Sequence, residues 1–228
     1  MQAHFEHRLT HGLSLTIAYT WSHELDNQAF DTNGGGCGCQ NPRDPHEWAS
    51  GTTDQRQSLA IGYVWALPSA KVAPVLGRIV NGWTLNGLAL IAAGNPYDIL
   101  ESSDTQNTDN QWERPNRVLG EKLSVSNRSI DAWFNTAAFA PSILEFGNSS
   151  RNPLVSPATR TVNLAIMKDV QMPFSELQRL QMRFEAFNAL NTPQWAAPDA
   201  NLGDGTFGAV QSTALNNREL QLALKYFF

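Results

Sequence analysis

Along four stretches of the chain, hydrophobic and polar residues alternate with a period of two. That spacing sends successive side chains to opposite faces of a β-strand. At the carboxy-terminus, Leu220, Leu222, Leu224, Tyr226 and Phe228 form one row, and Glu219, Gln221, Ala223, Lys225 and Phe227 the other. Leu13, Leu15, Ile17, Tyr19 and Trp21 alternate with Ser14, Thr16, Ala18, Thr20 and Ser22. Leu59, Ile61, Tyr63, Trp65 and Leu67 alternate with Ser58, Ala60, Gly62, Val64 and Ala66. Leu180, Met182, Phe184 and Ala186 alternate with Arg179, Gln181, Arg183 and Glu185. The charge on that last polar row suits the wet interior of a large barrel better than a sandwich core. Weaker strands are predicted over about Gln2–Leu9, Trp83–Leu100 and Thr159–Val170. Within the Trp83 stretch the phase blurs, because Leu88 and Leu90 oppose Ala89 and Ile91. The pattern predicts an all-β fold, an antiparallel meander of about seven strands. Its form would be a curved open wall of a transmembrane β-barrel with long extracellular loops.

The connections alternate in length. Thr10–Gly12 and Pro173–Glu176 read as short turns, and Ser69–Asn81, with Pro74 and Gly77, as a moderate one. Between them lie long segments at about Asn27–Thr53, Glu101–Ala158 and Asn191–Leu215. Outer-membrane barrels have short periplasmic turns and long extracellular loops, so the short connections are expected at the periplasm. On that map Trp65, Trp83, Tyr226 and Phe228 fall at the periplasmic rim and Tyr19 and Trp21 at the opposite one. Two aromatic belts are what an interface-spanning sheet shows.

Composition narrows the class. Charged residues are 16% of the chain, against roughly 25% in ordinary soluble domains. No run approaches the roughly 18 apolar residues of a spanning helix, a test that strands escape. The net charge is −5 without any Lys/Arg cluster, which argues against nucleic acid as a partner. The first residues, Met1 to Arg8, carry no signal-peptide pattern. An exported barrel without one is expected to be a piece of a longer receptor.

Candidate chemistry is sparse. Cys37 and Cys39, two residues apart, do not make a four-ligand metal set and read as a loop disulfide in an oxidising compartment, with free thiols as the alternative because so short a spacing strains the bond. His4, His7 and His11 have helical metal spacing, but on a strand His4 and His7 point to opposite faces. His23, Glu24 and Asp26 read as solvated side chains at a strand end. Asp98, Glu101, Asp104 and Asp109 lack the spacing of a calcium loop and read as a mobile hydrophilic segment. No catalytic motif, metal site or cofactor site is predicted, and the chain is not expected to be an enzyme.

Several segments jointly resemble the carboxy-terminal barrel of TonB-dependent receptors of the Oar-like class, which carry a carboxypeptidase-regulatory-like front domain. They are Gly12–Ser22, Asn41–Asp44, Asp54–Arg56 with Tyr63–Pro68, Gly82–Gly87 with Gly94–Pro96, Trp133–Phe139, Phe146–Asn152 and Phe184–Asn191. The resemblance covers nearly the whole chain, residues 1–228, as a partial barrel without the plug and amino-terminal domains.

What the resemblance implies is energised uptake across the outer membrane of a Gram-negative bacterium. Substrate of unknown identity would bind extracellular loops, and TonB would act only through the plug this chain lacks. Leu220, Leu222, Leu224, Tyr226 and Phe228 would form the signal read by the barrel-assembly machinery. Tyr19, Trp21, Trp65 and Trp83 would sit at the interfaces with outer-membrane lipid. Asn41, Arg43, Asp44, Trp133 and Phe134 would order the loops or touch the ligand. The alternative is a barrel fragment or surface binding module without transport.

Overall fold

The computed structural model describes residues 1–8, 12–27, 39–41, 43–44, 47–172 and 178–228. Seven long strands span it: β1 (Gln2–Arg8), β2 (Leu13–Trp21), β3 (Gln57–Ala66), β4 (Trp83–Ala92), β5 (Thr159–Gln171), β6 (Arg179–Phe187) and β7 (Glu219–Phe227). They form one sheet in chain order, each strand antiparallel to its neighbours. This is the predicted meander. Most of these strands match the roughly 9–11 residues of a tilted membrane-spanning strand.

The register carries every apolar row onto one face. Phe5 lies opposite Ile17, Ile17 opposite Ile61, and Ile61 opposite Ala89. Ala89 continues to Val162, and further along Ile166 lies opposite Phe184 and Phe184 opposite Leu222. A one-residue slip at any pair would turn that strand's apolar row inside out, so the period of two and the register reinforce each other. Register also resolves the blurred phase of β4. Leu85, Gly87, Ala89 and Ile91 share the apolar face, while Leu88 and Leu90 point the other way. The Tyr63 ring occupies the space that a Cβ on Gly87 would need, a cross-strand pairing of aromatic and glycine.

The polar face is the concave one. Ser14, Thr16, Asn86, Asn163 and Glu185, interspersed with Val64, Leu88 and Phe187, line a hollow of about 470 Å³ across five adjacent strands. The convex face is apolar and largely uncovered, with Leu222 80% and Leu224 68% exposed. A soluble protein rarely presents so continuous an apolar surface, whereas a barrel wall presents it to lipid.

Sheet edges are β1 and β7, and no ladder joins them among the described residues. Both are odd-numbered strands of an antiparallel meander, so they run the same way, and direct closure would pair them in parallel. The sheet is an open wall, as predicted.

One strand boundary and one connection differ from the pattern reading. The strand starting at Trp83 ends at Ala92 rather than Leu100, Ala92 being the last residue paired, with Ser58 on one side and Thr159 on the other. Of the expected turns at Thr10–Gly12 and Pro173–Glu176, all but Gly12 lies outside the described residues. Gly12 adopts φ 78° and its carbonyl accepts the Ala66 N–H at 2.9 Å. The connection from Ser69 to Asn81 is not a plain turn but holds a helix, α1 (Pro74–Val80). Pro74 opens it, where a missing N–H costs nothing. Asn81 closes the connection, its Oδ1 accepting the Ala70 N–H at 2.7 Å and its Nδ2 donating to the Ala70 carbonyl at 3.1 Å.

The buried core does not lie in the wall. At the end of the sheet opposite α1, residues 93–158 fold with residues 188–218 and with residues 22–27, 39–41 and 47–56 into a cap. Its centre is Ile99, Phe134, Ala138 and Phe139.

Candidate functional site

The cap is built from short strand pairs. Leu25–Asp26 pairs with Ala49–Ser50, Pro96–Tyr97 with Leu154–Val155, and Asn116–Arg117 with Phe139–Ala140. Leu100–Glu101 runs parallel to Asn201–Leu202, joining the second long connection to the third. Phe134, Phe139 and Phe207 meet edge to face, with centroids 5.2 to 6.2 Å apart. Such pairs add to simple burial because the positive ring edge meets a negative face. The acidic stretch around Asp98 is therefore part of a folded body, not the mobile segment expected: Asp98 follows directly on the Pro96–Tyr97 strand and precedes the core residue Ile99.

Charged groups are buried in this cap as pairs. Arg114 holds Glu47 in a two-pronged contact, Nη1 to Oε2 at 2.7 Å and Nη2 to Oε1 at 2.8 Å, with both side chains 2% exposed. Arg151, fully buried, donates to the Asp26 carboxylate and to its carbonyl. Around Arg114, the Gln106 amide donates to Gln40 Oε1, to the Arg114 carbonyl and to Ser142 Oγ. A buried charge without such partners would be costly.

His23 and Glu24 are exposed, as expected of solvated side chains, whereas Asp26 is half-buried and paired with Arg151. His23 Nδ1 lies 3.0 Å from Asp54 Oδ2, the Glu24 N–H donates to Asp54 Oδ1 at 2.9 Å, and Arg56 Nε reaches Asp54 at 2.9 Å. Burial opposes ionisation of Asp54, but the Glu24 amide, His23 and Arg56 together hold its carboxyl below the usual range.

The loop residues singled out in the sequence divide in two. Asn41 and Asp44 form a turn: the Asn41 N–H donates to Glu47 Oε1 at 3.0 Å, and the Asp44 N–H to the Asn41 carbonyl at 3.0 Å. The turn thus places Glu47 for Arg114, while Arg43 is exposed. Phe134 is 2% exposed at the centre of the core, so it orders the cap and meets no ligand in this conformation. Trp133 is half-buried, with the Arg128 guanidinium 5.0 Å from its ring. Cys39 is buried and disulfide-bonded, and Cys37 lies outside the described residues, as does His11. His4 and His7 lie on opposite faces of β1. At the rims, Trp21 stands opposite Gln57, Trp83 opposite Lys168, and Tyr226 opposite Leu180, which separates the aromatics into the two predicted bands.

Sequence reasoning missed Arg114, Glu47, Gln40, Gln106, Ser142 and Arg151. Arg151 lies in a motif that drew attention, Phe146–Asn152, but its partner is 125 residues away. No local pattern carries that pairing.

Two consequences can be measured. A Cβ on Gly147 would overlap the Arg114 carbonyl oxygen, a backbone atom that cannot swing aside. Gly147→Ala is expected to cost about 1–3 kcal/mol of cap stability, read as faster amide exchange over residues 99–151 with exchange in β2–β4 unchanged.

Burial, against the Asn152 amide and the nearby Arg114 and Arg151, pushes the Asp98 carboxyl up to about 6. Its folded value lies above the 3.8 of a free aspartate, so the folded cap takes up the proton first. Cap stability is therefore expected to rise as pH falls from about 6 toward 3.8. Asp98→Asn should flatten that slope. Below this window Asp54, with its lowered value, acts in the opposite sense. Protease resistance of the cap across this pH range, compared between wild type and Asp98→Asn, checks the sign.

The arrangement is a concave wall, partly lined by hydroxyls and amides, under a folded cap. A family model described as an outer membrane beta barrel domain matches residues 1–221. The chain belongs to that family, and its place is the outer membrane of a Gram-negative bacterium. No curated protein and no solved structure matches it.

Proposed function

We propose that this chain is wall and cap of a TonB-dependent receptor of the Oar-like class, acting in uptake and catalysing no reaction. The observation that carries the reading is the open seven-stranded wall beneath a folded cap with its own aromatic core. Hydrocarbon cannot satisfy the free N–H and C=O groups along β1 and β7, so further strands must cover both edges. Antiparallel closure between two strands of the same direction takes an odd number of such strands. Large barrels of that kind enclose a lumen wide enough to need a plug, and the polar concave face of Ser14, Thr16, Asn86, Asn163 and Glu185 suits a wet lumen. In this reading the short connections face the periplasm, the cap faces outward, and β7 ends on the assembly signal.

The test is genetic epistasis. Deleting the gene should abolish growth on a subset of those nutrients that a tonB-deficient strain also fails to use, and the double mutant should be no worse. Growth defects that persist without overlapping the tonB set, or none at all while the barrel is present in the membrane, would favour a binding module without transport.

A further inference from the structure

Helix α1 exposes apolar side chains where a periplasmic turn needs none. Val72, Val75, Leu76, Ile79 and Val80 are all exposed, Val75 at 77% and Ile79 at 64%. Val72 precedes the helix, while Val75, Leu76, Ile79 and Val80, at i, i+1, i+4 and i+5, lie along one side of it. Lys71 and Arg78 accompany them, and no acidic residue lies between Ser69 and Asn81. A seven-residue helix is too short to persist by propensity alone, so its surroundings must hold it.

The wall supplies one side of that hold. Trp83 Nε1 donates to the Ile79 carbonyl at 2.9 Å. Lys168 donates to the Asn81 carbonyl, and its ammonium lies 5.2 Å from the Trp83 ring centroid. Trp83 and Lys168 are register partners on the convex apolar face. The helix is thus tied to the rim of the lipid-facing surface through Trp83 and Lys168.

We propose that α1 is an interfacial anchor whose occupant is membrane phospholipid. Val75, Leu76 and Ile79 enter the boundary between headgroups and acyl chains, and Lys71 and Arg78 supply positive charge at the level of the phosphates. The choice of lipid over a protein rests on two observations: continuity with the lipid-facing row through Trp83, and a charge sign that complements phosphate. The side of the membrane rests on the orientation proposed above.

The test replaces Val75 or Ile79, in the full chain in outer membranes, with the photoreactive residue p-benzoylphenylalanine. Irradiation is expected to give phospholipid adducts at both positions, identified by the mass of the modified peptide. The double variant Val75→Asp with Ile79→Asp alters only exposed side chains, and it should abolish the lipid adduct from the same probe placed at Leu76. Protein adducts at Val75 and Ile79 would overturn the proposal in favour of a periplasmic partner. Ready labelling of Val75→Cys by a water-soluble maleimide, once the periplasm is opened, would overturn it in favour of a helix lying free in water. Orientation is read separately on intact cells, where Asp109→Cys should label and Ala70→Cys should not. The reverse pattern sinks the orientation, while the adducts alone decide whether α1 touches lipid.

Discussion

Removing Phe228 should lower the amount of this barrel in the outer membrane several-fold when it is expressed with the strands that complete its wall. Phe228 is 95% exposed and stacks on Tyr226, centroids 6.2 Å apart at 24°. It contributes almost nothing to the packing of the folded wall, so its loss should not act through stability. β7 pairs with β6 along one edge only, from Glu219 opposite Phe187 to Phe227 opposite Arg179. Its other edge has no ladder partner among the described residues, and that edge together with the convex-face row Leu220, Leu222, Leu224 and Tyr226 is what assembly machinery could grip in the family reading. Lys225→Ala is the control. Lys225 lies on the concave face, its ammonium 4.7 Å from the Phe227 ring, and its loss leaves the apolar row intact. Heat-modifiable gel mobility measures the inserted fraction of each variant. Equal insertion of the Phe228 deletion and wild type would show that the terminal aromatic is not the signal. Molecules that do insert should keep their ligand uptake nearly unchanged, because Phe228 sits at the rim opposite the cap.

Arg114→Ala should open the cap while leaving the wall standing. The substitution strands Glu47 as a charge 1% exposed, and removing one partner of a buried pair costs about 3–5 kcal/mol. Arg114 also sits among Gln40, Gln106 and Ser142, whose hydrogen bonds converge on its backbone carbonyl and N–H, so the damage should spread from the first long connection into the second. Protease added to intact cells should nick residues 93–158 in the variant far faster than in wild type, with the heat-modifiable band unchanged. Replacing both partners, Arg114→Met with Glu47→Leu, should recover much of the resistance, since apolar residues of similar size leave no charge behind. A cap as resistant in Arg114→Ala as in wild type would mean the aromatic core alone holds it.

That core explains how far the sequence could be read. The wall was legible because a strand with one lipid face must alternate, and Leu13–Trp21 or Leu220–Phe228 state this locally without reference to any partner. The rims were legible for the same reason, since Trp65 and Trp83 lie at strand ends wherever the strands go. α1 escaped because Pro74 and Gly77 punctuate a stretch whose helical spacing is only two turns long. In the acidic stretch, composition misled: Asp98 and Glu101 look solvent-seeking, yet one is half-buried, its carboxylate accepting the Asn152 N–H, and the other accepts the Ser142 N–H at 2.9 Å.

By itself, then, the sequence determined the strand class, the seven-stranded meander, the two faces and the membrane that must surround them. All of these follow from periodicity, which each segment carries alone. Only the tertiary structure decided the phase of β4, set by Tyr63 over Gly87, and the fate of the long connections. Their core joins Ile99 to Phe134 and Phe207, and their charges join Asp26 to Arg151 and Glu47 to Arg114. Contacts between such distant positions leave no period in the chain. They exist because the wall brings the ends of the connections together, and burial then selects the partners that satisfy one another.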